Sequence, residues 1–276
     1  MGESRELSTL QATIREFGLV PDKSLGQHFL LDAHLLAEIV RRAGPLAGLN
    51  VAEIGPGPGG LTRALLDSAA ARITAIEFDP RAVAAIQVLA TSAPGRLEVI
   101  AGDALRADLT ALLPAPRAII ANLPYNIATA LLVRWLAQAD AYQSMTLMFQ
   151  AEVAERICAA PGTPAYGRLA VLAQWCCQAA IVMHIPAGAF SPPPKVESAL
   201  VRLVPHAVQP APDVFVAMGQ LTAAAFGQRR KMLRGALKAL GGEALLREAE
   251  IDPERRAETL RVAEFERLLR VWRKGK

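Results

Sequence analysis

From residue 50 onward the chain repeats one pattern, a short apolar and β-branched run followed by a longer segment of helical composition. The runs fall at 51–54, 73–78, 97–101, 118–121, 145–149, 180–185 and 199–204, and helical segments separate them as far as the sixth. Strands joined by helices need right-handed crossovers, so the pattern predicts a mainly parallel α/β sheet of seven strands. Only the proline-rich stretch 186–195 separates the sixth run from the seventh, so the last strand is expected to return antiparallel. In open sheets of this kind ligands bind at the carboxyl ends of the strands, which is where functional residues are to be sought.

Outside the repeat, residues 8–17 read as a short helix opening at Ser8 and ending at Gly18, and 23–32 as a loop whose Asp32 caps a helix running to about Arg42. The proline-rich segment 205–212 reads as a linker. Beyond it, helices are expected at 214–226, 229–240, 243–249 and 262–272, broken by Gly241-Gly242 and Asp252-Pro253. The expected organisation is thus a sheet-bearing domain at 1–206 and a small all-α domain at 207–276. Residues 207–276 hold 14 Lys or Arg against 9 Asp or Glu, whereas 1–206 hold 16 against 17. Such asymmetry suits a polyanionic partner, although a solvated helical face would give the same count. No window approaches the roughly 20 apolar residues of a membrane span, and the N-terminus lacks the apolar core of a signal peptide, so a cytoplasmic protein is expected. Cys158, Cys176 and Cys177 have no metal-ligand spacing and read as buried thiols; no metal is expected.

Three successive strand ends carry residues suited to a nucleoside. Gly55, Gly57 and Gly60 follow the first strand and match G-x-G-x-x-G, which allows a ligand close to the backbone but does not by itself exclude a dinucleotide. Glu77 ends the second strand, 22 residues after Gly55, where a carboxylate can accept from ribose hydroxyls. Asp79 either shares that role or caps the next helix. Asp103, ending the third strand, can accept from an adenine amino group or make a helix-start turn, and the adenine reading favours S-adenosylmethionine over NAD.

The fourth strand ends in Asn122-Leu123-Pro124-Tyr125. An aryl amine is a poor nucleophile because its lone pair is delocalised into the ring. The Asn122 amide oxygen and a backbone carbonyl of Leu123 or Pro124 could accept its two N–H donors and turn the lone pair toward a sulfonium methyl. Tyr125 could stack on the base. In the loop before the last strand, Phe190-Ser191-Pro192-Pro193-Pro194-Lys195 could present a ring to an extruded base and an ammonium to phosphate, the alternative being a core ring and a solvated lysine. Arg229, Arg230 and Lys231, with Arg234 and Lys238, would place several cations on neighbouring helix positions as a phosphate contact.

Together these motifs resemble the ribosomal RNA adenine N6,N6-dimethyltransferases, of the KsgA-like small-subunit kind. The likeness runs from Lys23 over nearly the whole chain and includes Lys23-Ser24-Leu25-Gly26-Gln27-His28-Phe29-Leu30, Glu53-Ile54-Gly55-Pro56-Gly57, Ile76-Glu77-Phe78-Asp79 and Gly102-Asp103-Ala104-Leu105. It continues through Asn122-Leu123-Pro124-Tyr125-Asn126-Ile127, Tyr166-Gly167-Arg168-Leu169, Val196-Glu197-Ser198-Ala199 and Phe226-Gly227-Gln228-Arg229-Arg230-Lys231. The resemblance implies a Rossmann-like seven-stranded methyltransferase sheet with a small C-terminal all-α domain. It implies transfer of two methyl groups to each of two adjacent adenosines in a hairpin loop near the 3′ end of 16S rRNA, on an immature 30S subunit, by a monomer. By matching positions, His28, Leu30, Gly55, Glu77, Asp103 and Asn122 would hold S-adenosylmethionine. Asn122 to Tyr125 and Phe190 would hold the base, while Lys195, Arg229, Arg230 and Lys231 would meet RNA. The family usually has Asn at the position of His28; neutral His still offers one donor and one acceptor there.

Rivals of other classes are a non-catalytic assembly factor on the same fold, a related methyltransferase acting on 23S rRNA or DNA, and an NAD oxidoreductase. Equilibrium dialysis separates the last: the chain is expected to retain S-adenosylmethionine and not NAD, and retention of NAD alone would overturn the cofactor reading.

Overall fold

The computed structural model describes residues 9–19, 28–228 and 231–275. By contacts the chain divides into two compact units, one of residues 1–132, 141–151 and 181–204, the other of 133–140, 152–180 and 205–276. The linker expected from 205 begins where the second unit resumes, but that unit also takes in two earlier segments, which a single cut at 206 does not capture.

The chain forms nine strands: β1 (Phe29–Leu30), β2 (Asn50–Ile54), β3 (Arg72–Glu77), β4 (Leu97–Ala101), β5 (Arg117–Asn122), β6 (Ser144–Gln150), β7 (Cys177–Ile185), β8 (Phe190–Ser191) and β9 (Ser198–Pro205). Seven of them make one sheet in the order β4-β3-β2-β5-β6-β9-β7. The pairings β4 with β3, β3 with β2, β2 with β5 and β5 with β6 are parallel, and β6 with β9 is antiparallel. All seven apolar runs are therefore strands, and the expected reversal is found at β9. These runs are legible because the parallel strands are buried on both faces: Val51, Ile73, Ala75, Ile119 and Ile120 are all essentially inaccessible.

The order reverses between β2 and β5. Chain leaving β2 turns toward β3, and β5 returns on the other side, which opens a crevice at the carboxyl edge between these two strands. The sheet thereby sets the glycine loop after β2 beside Asn122 at the end of β5.

Helices α1 (Leu10–Glu16), α2 (Ala33–Arg42), α3 (Gly60–Leu66), α4 (Pro80–Thr91) and α5 (Leu109–Leu112) belong to the first unit, and α6 (Tyr125–Leu136) starts in it. Thr9 caps α1, its hydroxyl accepting from the Ala12 N–H at 3.2 Å, and Ser8, where the helix was expected to open, lies outside the described residues. Asp32 caps α2 as expected, accepting from His34 N–H at 2.8 Å and Leu35 N–H at 3.2 Å. The apolar stripe of α2, Leu36, Ile39 and Val40, is buried at helical spacing.

Two sequence expectations are corrected here. The loop reading of 23–32 fails at Phe29–Leu30, and the proline-rich stretch contains Phe190–Ser191; β1 and β8 pair antiparallel, Phe29 with Ser191 and Leu30 with Phe190. A two-residue ribbon has no periodicity to read and is not stable alone. Its hydrogen bonds contribute on the order of 1 kcal/mol each, whereas burying a Phe side chain contributes about 2 kcal/mol, so Phe29 at 9% exposure and Phe190 at 4% are what secure it.

The second unit holds α7 (Ala151–Cys158, from its second residue), α8 (Arg168–Cys176), α9 (Pro212–Phe226), α10 (Leu233–Ala236), α11 (Gly242–Glu248) and α12 (Val262–Lys274). Phe226 stacks on Phe265 at 5.7 Å and meets the buried Tyr166 edge-on at 6.1 Å. The stripe Phe265, Leu268, Leu269 and Trp272 of α12 is buried at helical spacing. Cys176 and Cys177 are buried and Cys158 partly so.

The helix expected over 229–240 is not continuous. Leu233 N–H donates to Arg255 O at 2.8 Å and Arg234 N–H to Pro253 O at 3.1 Å, so tertiary partners fix the start of α10 at Leu233. Lys231 lies in a turn, its N–H donating to Gln228 O at 2.9 Å, and Lys238 opens a separate 3-10 turn. Lys231, Arg234 and Lys238 thus do not share one helix, and Arg229 and Arg230 lie outside the described residues.

Candidate active site

Two adjoining hollows occupy the crevice. One is lined by His28, Leu30, Glu53, Gly55, Gly57, Glu77 and Asn122 through Tyr125. The other is lined by Glu77, Phe78, Asp103, Leu105 and Ile127 among others, and shares Gly55, Glu77 and Pro124 with the first. The six residues expected to bind a cofactor are thereby brought into one continuous cleft at the sheet's carboxyl edge.

The glycine loop lies close against its neighbours. Gly55 and Gly57 have φ of 65° and 53°, values that favour glycine. A Cβ on Gly57 would sit 3.1 Å from the Phe29 ring, and one on Gly60 3.0 Å from the Leu30 carbonyl oxygen, so the loop is packed against β1. Beside it, Glu77 is oriented by backbone donors: Oε2 accepts from Gly57 N–H at 3.1 Å, and Oε1 from Phe78 N–H at 2.7 Å and Asp79 N–H at 2.9 Å. Oε2 retains capacity for one further donor.

Asp79 takes the capping role, accepting from Arg81 N–H at 2.9 Å and pairing with the Arg81 guanidinium at 2.7 Å, which holds its carboxyl below the usual carboxylate range. Asp103 makes the helix-start turn, Oδ1 accepting from Leu105 N–H at 2.9 Å, yet still lines the second hollow. The helix-start reading is the one the hydrogen bond shows, and it leaves the side chain at the cleft.

At the end of β5, the Asn122 side-chain amide donates through Nδ2 to the His28 carbonyl at 3.3 Å. That bond leaves Oδ1 as the acceptor end of the amide. Pro124 O already accepts from Ile127 and Ala128 N–H, each at 3.1 Å, to begin α6. Tyr125 is held at its far end by a 2.6 Å hydrogen bond between its hydroxyl and Ser198 Oγ, and burial raises its pKa above the ordinary phenol value. The His28 ring stacks near Tyr125 at 5.8 Å and 30°. Its Nδ1–H donates to Pro192 O at 2.8 Å, so in the neutral ring Nε2 is the acceptor.

Phe190 is corrected. Its ring is 4% exposed, packed in the core and edge-on to His28 at 6.4 Å, because β8 pairs with β1 and carries it inward. It offers no open face for a base in this conformation. Lys195, by contrast, is exposed in the same loop, so the structure separates the two residues expected to act together. Lys231 is exposed in the second unit.

Sequence reading passed over Glu53. It is 1% exposed at the cleft wall, and its Oε2 has no hydrogen-bond partner. Burial pushes its carboxyl up to about 8; the Thr62 hydroxyl eases this without a hydrogen bond of normal geometry, and the charge of Glu77 adds to it. The signal was a carboxylate inside an apolar strand two residues before the first glycine. Ser198 was read only as part of the motif Val196-Glu197-Ser198-Ala199 and given no role of its own.

Residues 21–274 match the ribosomal RNA adenine dimethylase family. The chain belongs to that family. A ribosomal RNA small subunit methyltransferase A of Gluconobacter oxydans is 61% identical over 262 residues, covering 95% of this chain and 86% of that one. Its counterpart in Mesorhizobium japonicum is 55% identical, covering 95% and 97%. Among solved structures, a dimethyladenosine transferase from Plasmodium falciparum aligns with a TM-score of 0.76 at 25% identity, covering 90% of this chain and 98% of that chain. The 23S rRNA methyltransferase ErmE aligns at 0.66 and 27% identity, covering 89% and 99%.

As a ribosomal RNA adenine dimethylase, the chain is a methyltransferase that uses S-adenosylmethionine. The cleft fits such a ligand on its own terms: the unpartnered Glu53 oxygen suits a cationic group, the glycine loop admits close approach, and Glu77 Oε2 can take a hydroxyl donor. Among the described residues no helix is long and apolar enough to cross a membrane.

Glu53 makes stability pH-dependent. A folded carboxyl that keeps its proton up to about 8 is protonated where the unfolded one, at about 4.5, is not, so stability falls as pH rises between these values. The thermal midpoint of the cofactor-free protein should therefore drop relative to Glu53→Gln as pH goes from about 5 to about 8. Parallel midpoints across that range would contradict the buried-acid assignment.

Proposed function

We propose that the chain dimethylates N6 of two adjacent adenosines in the 3′-terminal hairpin loop of 16S rRNA, on an immature 30S subunit, as a cytoplasmic monomer. In this reading residues 1–206 carry the cofactor and catalysis, and 207–276 dock on rRNA. The observation that carries the chemistry is the bond from Asn122 Nδ2 to His28 O, which leaves Oδ1 as the acceptor end of the amide.

When bound, S-adenosylmethionine supplies an electrophilic methyl group on a positively charged sulfur. Glu53, Glu77, Asp103, Gly55, Leu30 and His28 would hold it, with Glu53 at its cationic end and Asp103 toward adenine. Asn122 Oδ1 and Leu123 O accept the two N–H donors of the target amine, and this localises the nitrogen lone pair away from the ring. Tyr125 covers the base with its ring, and its π face favours the positive charge that develops on nitrogen. Phe190 backs His28 from the core side, and a base would reach it only if the β1–β8 ribbon opened. Lys195, Arg229, Arg230 and Lys231 supply phosphate contacts. After the first transfer one N–H remains for Asn122 or Leu123 to hold, so the same groups can serve the second.

The small-subunit substrate is supported by the names of the relatives above, two of which are similar over nearly the full chain. Tritiated methyl transfer to 30S particles lacking the modification, alongside naked 23S rRNA and DNA, tests it: label is expected on the 30S particle, and label only on 23S rRNA would overturn the choice. In the same assay Asn122→Ala should lower turnover about a hundredfold or more while leaving subunit binding intact. Unaltered methylation by that variant would refute the amine-holding role.

A further inference from the structure

Only a strand running against its neighbours can bring its first residue to the carboxyl edge of a parallel sheet, and β9 is that strand. It pairs antiparallel with β6, setting Ser198 opposite Gln150, the last residue of β6. The Ala151 N–H donates to Glu197 O at 2.9 Å and pins the entry to β9 at the same edge. Ser198 is fully buried, and its Oγ meets the Tyr125 hydroxyl at 2.6 Å. We propose that Ser198 is a positioning residue for methyl transfer: through this bond it fixes the direction of the Tyr125 side chain against which the target base is held.

The Tyr125 side chain is held at both ends. Its Cα end is set by the start of α6, where Pro124 O accepts from Ile127 and Ala128 N–H. One neighbour, the His28 ring, lies at 5.8 Å, a contact that limits the ring without fixing its tilt. A hydroxyl anchored by an interior strand of the sheet supplies a rigid second point, and two fixed points define a ring's direction. Methyl transfer is sensitive to such placement because the amine nitrogen must lie in line with the departing bond. A phenol in contact with a buried hydroxyl is also kept from seeking a hydrogen bond with the incoming base, so Tyr125 presents its face and not its oxygen.

The proposal depends on Tyr125 holding the base, and the experiment separates the two. Ser198→Ala, Tyr125→Phe, the double variant and Tyr125→Ala are compared on unmodified 30S particles, with cofactor affinity and thermal midpoint measured on each. Ser198→Ala and Tyr125→Phe should each lower kcat about fivefold, with KM for the particle and cofactor affinity unchanged, and the double variant should lose no more than either one. Tyr125→Ala should lose far more. Full kcat in Ser198→Ala, multiplied losses in the double variant, or a defect confined to cofactor affinity would overturn the positioning role. If Ser198→Ala melts below the assay temperature, Tyr125→Phe reads the same bond, and full kcat there overturns the proposal. Full kcat in Tyr125→Ala would instead bring down the base-holding reading itself.

Discussion

One hydrogen bond, from the Asn122 side-chain amide to the His28 carbonyl, decides what the cleft can do. An amide has a donor end and an acceptor end, and tying the donor to backbone leaves the acceptor for a ligand. The bond exists because three separate stretches of chain converge. The sheet reverses its order between β2 and β5 and brings the end of β5 to the crevice. The β1–β8 ribbon sets His28 beside it, and Pro192 O holds the imidazole ring of the same residue at 2.8 Å. Asn122, His28 and the proline-rich loop therefore form one assembly, and ligand contacts at one part bear on the others.

The electrostatics of the cleft follow from the same burial. Glu77 is a carboxylate satisfied by three backbone N–H groups, which fixes its direction at the strand end. Glu53 lies deeper, with one oxygen unpartnered, and an isolated charge there would cost several kcal/mol, so the group keeps its proton in the empty cleft. A cation entering beside it would favour the ionised form. Two carboxyl groups on neighbouring strands thus differ in that backbone donors hold Glu77 while one oxygen of Glu53 has none.

Much of this was readable in advance, for identifiable reasons. The seven strands declared themselves because β-branched runs buried on both faces look alike wherever they occur, and Gly55, Glu77, Asp103 and Asn122 stand at the ends of those runs. What stayed hidden involves partners distant in sequence. Phe29 pairs with Ser191 and Leu30 with Phe190 across more than half the chain, Ser198 meets Tyr125 from a later strand, and neither contact leaves a local pattern. Phe190 looked like an exposed ring on a stiff proline loop because the strand that draws it inward is two residues long. The helix read over 229–240 was a sound inference from composition that lost to tertiary hydrogen bonds at Leu233 and Arg234. Glu53 was visible but read as part of a motif; a lone carboxylate within an apolar strand merits attention of its own.

The central claim is that Asn122 Oδ1 and Leu123 O accept the target amine while Tyr125, tethered by Ser198, covers the base. The most direct measurement is a structure of the protein with a non-reactive S-adenosylmethionine analogue and an adenosine-containing RNA hairpin. The account predicts the adenine N6 within hydrogen-bonding distance of both oxygens, with the Tyr125 ring on the base and its hydroxyl still on Ser198. An Asn122 amide turned so that Nδ2 faces N6, or a base lying away from Tyr125, would contradict it.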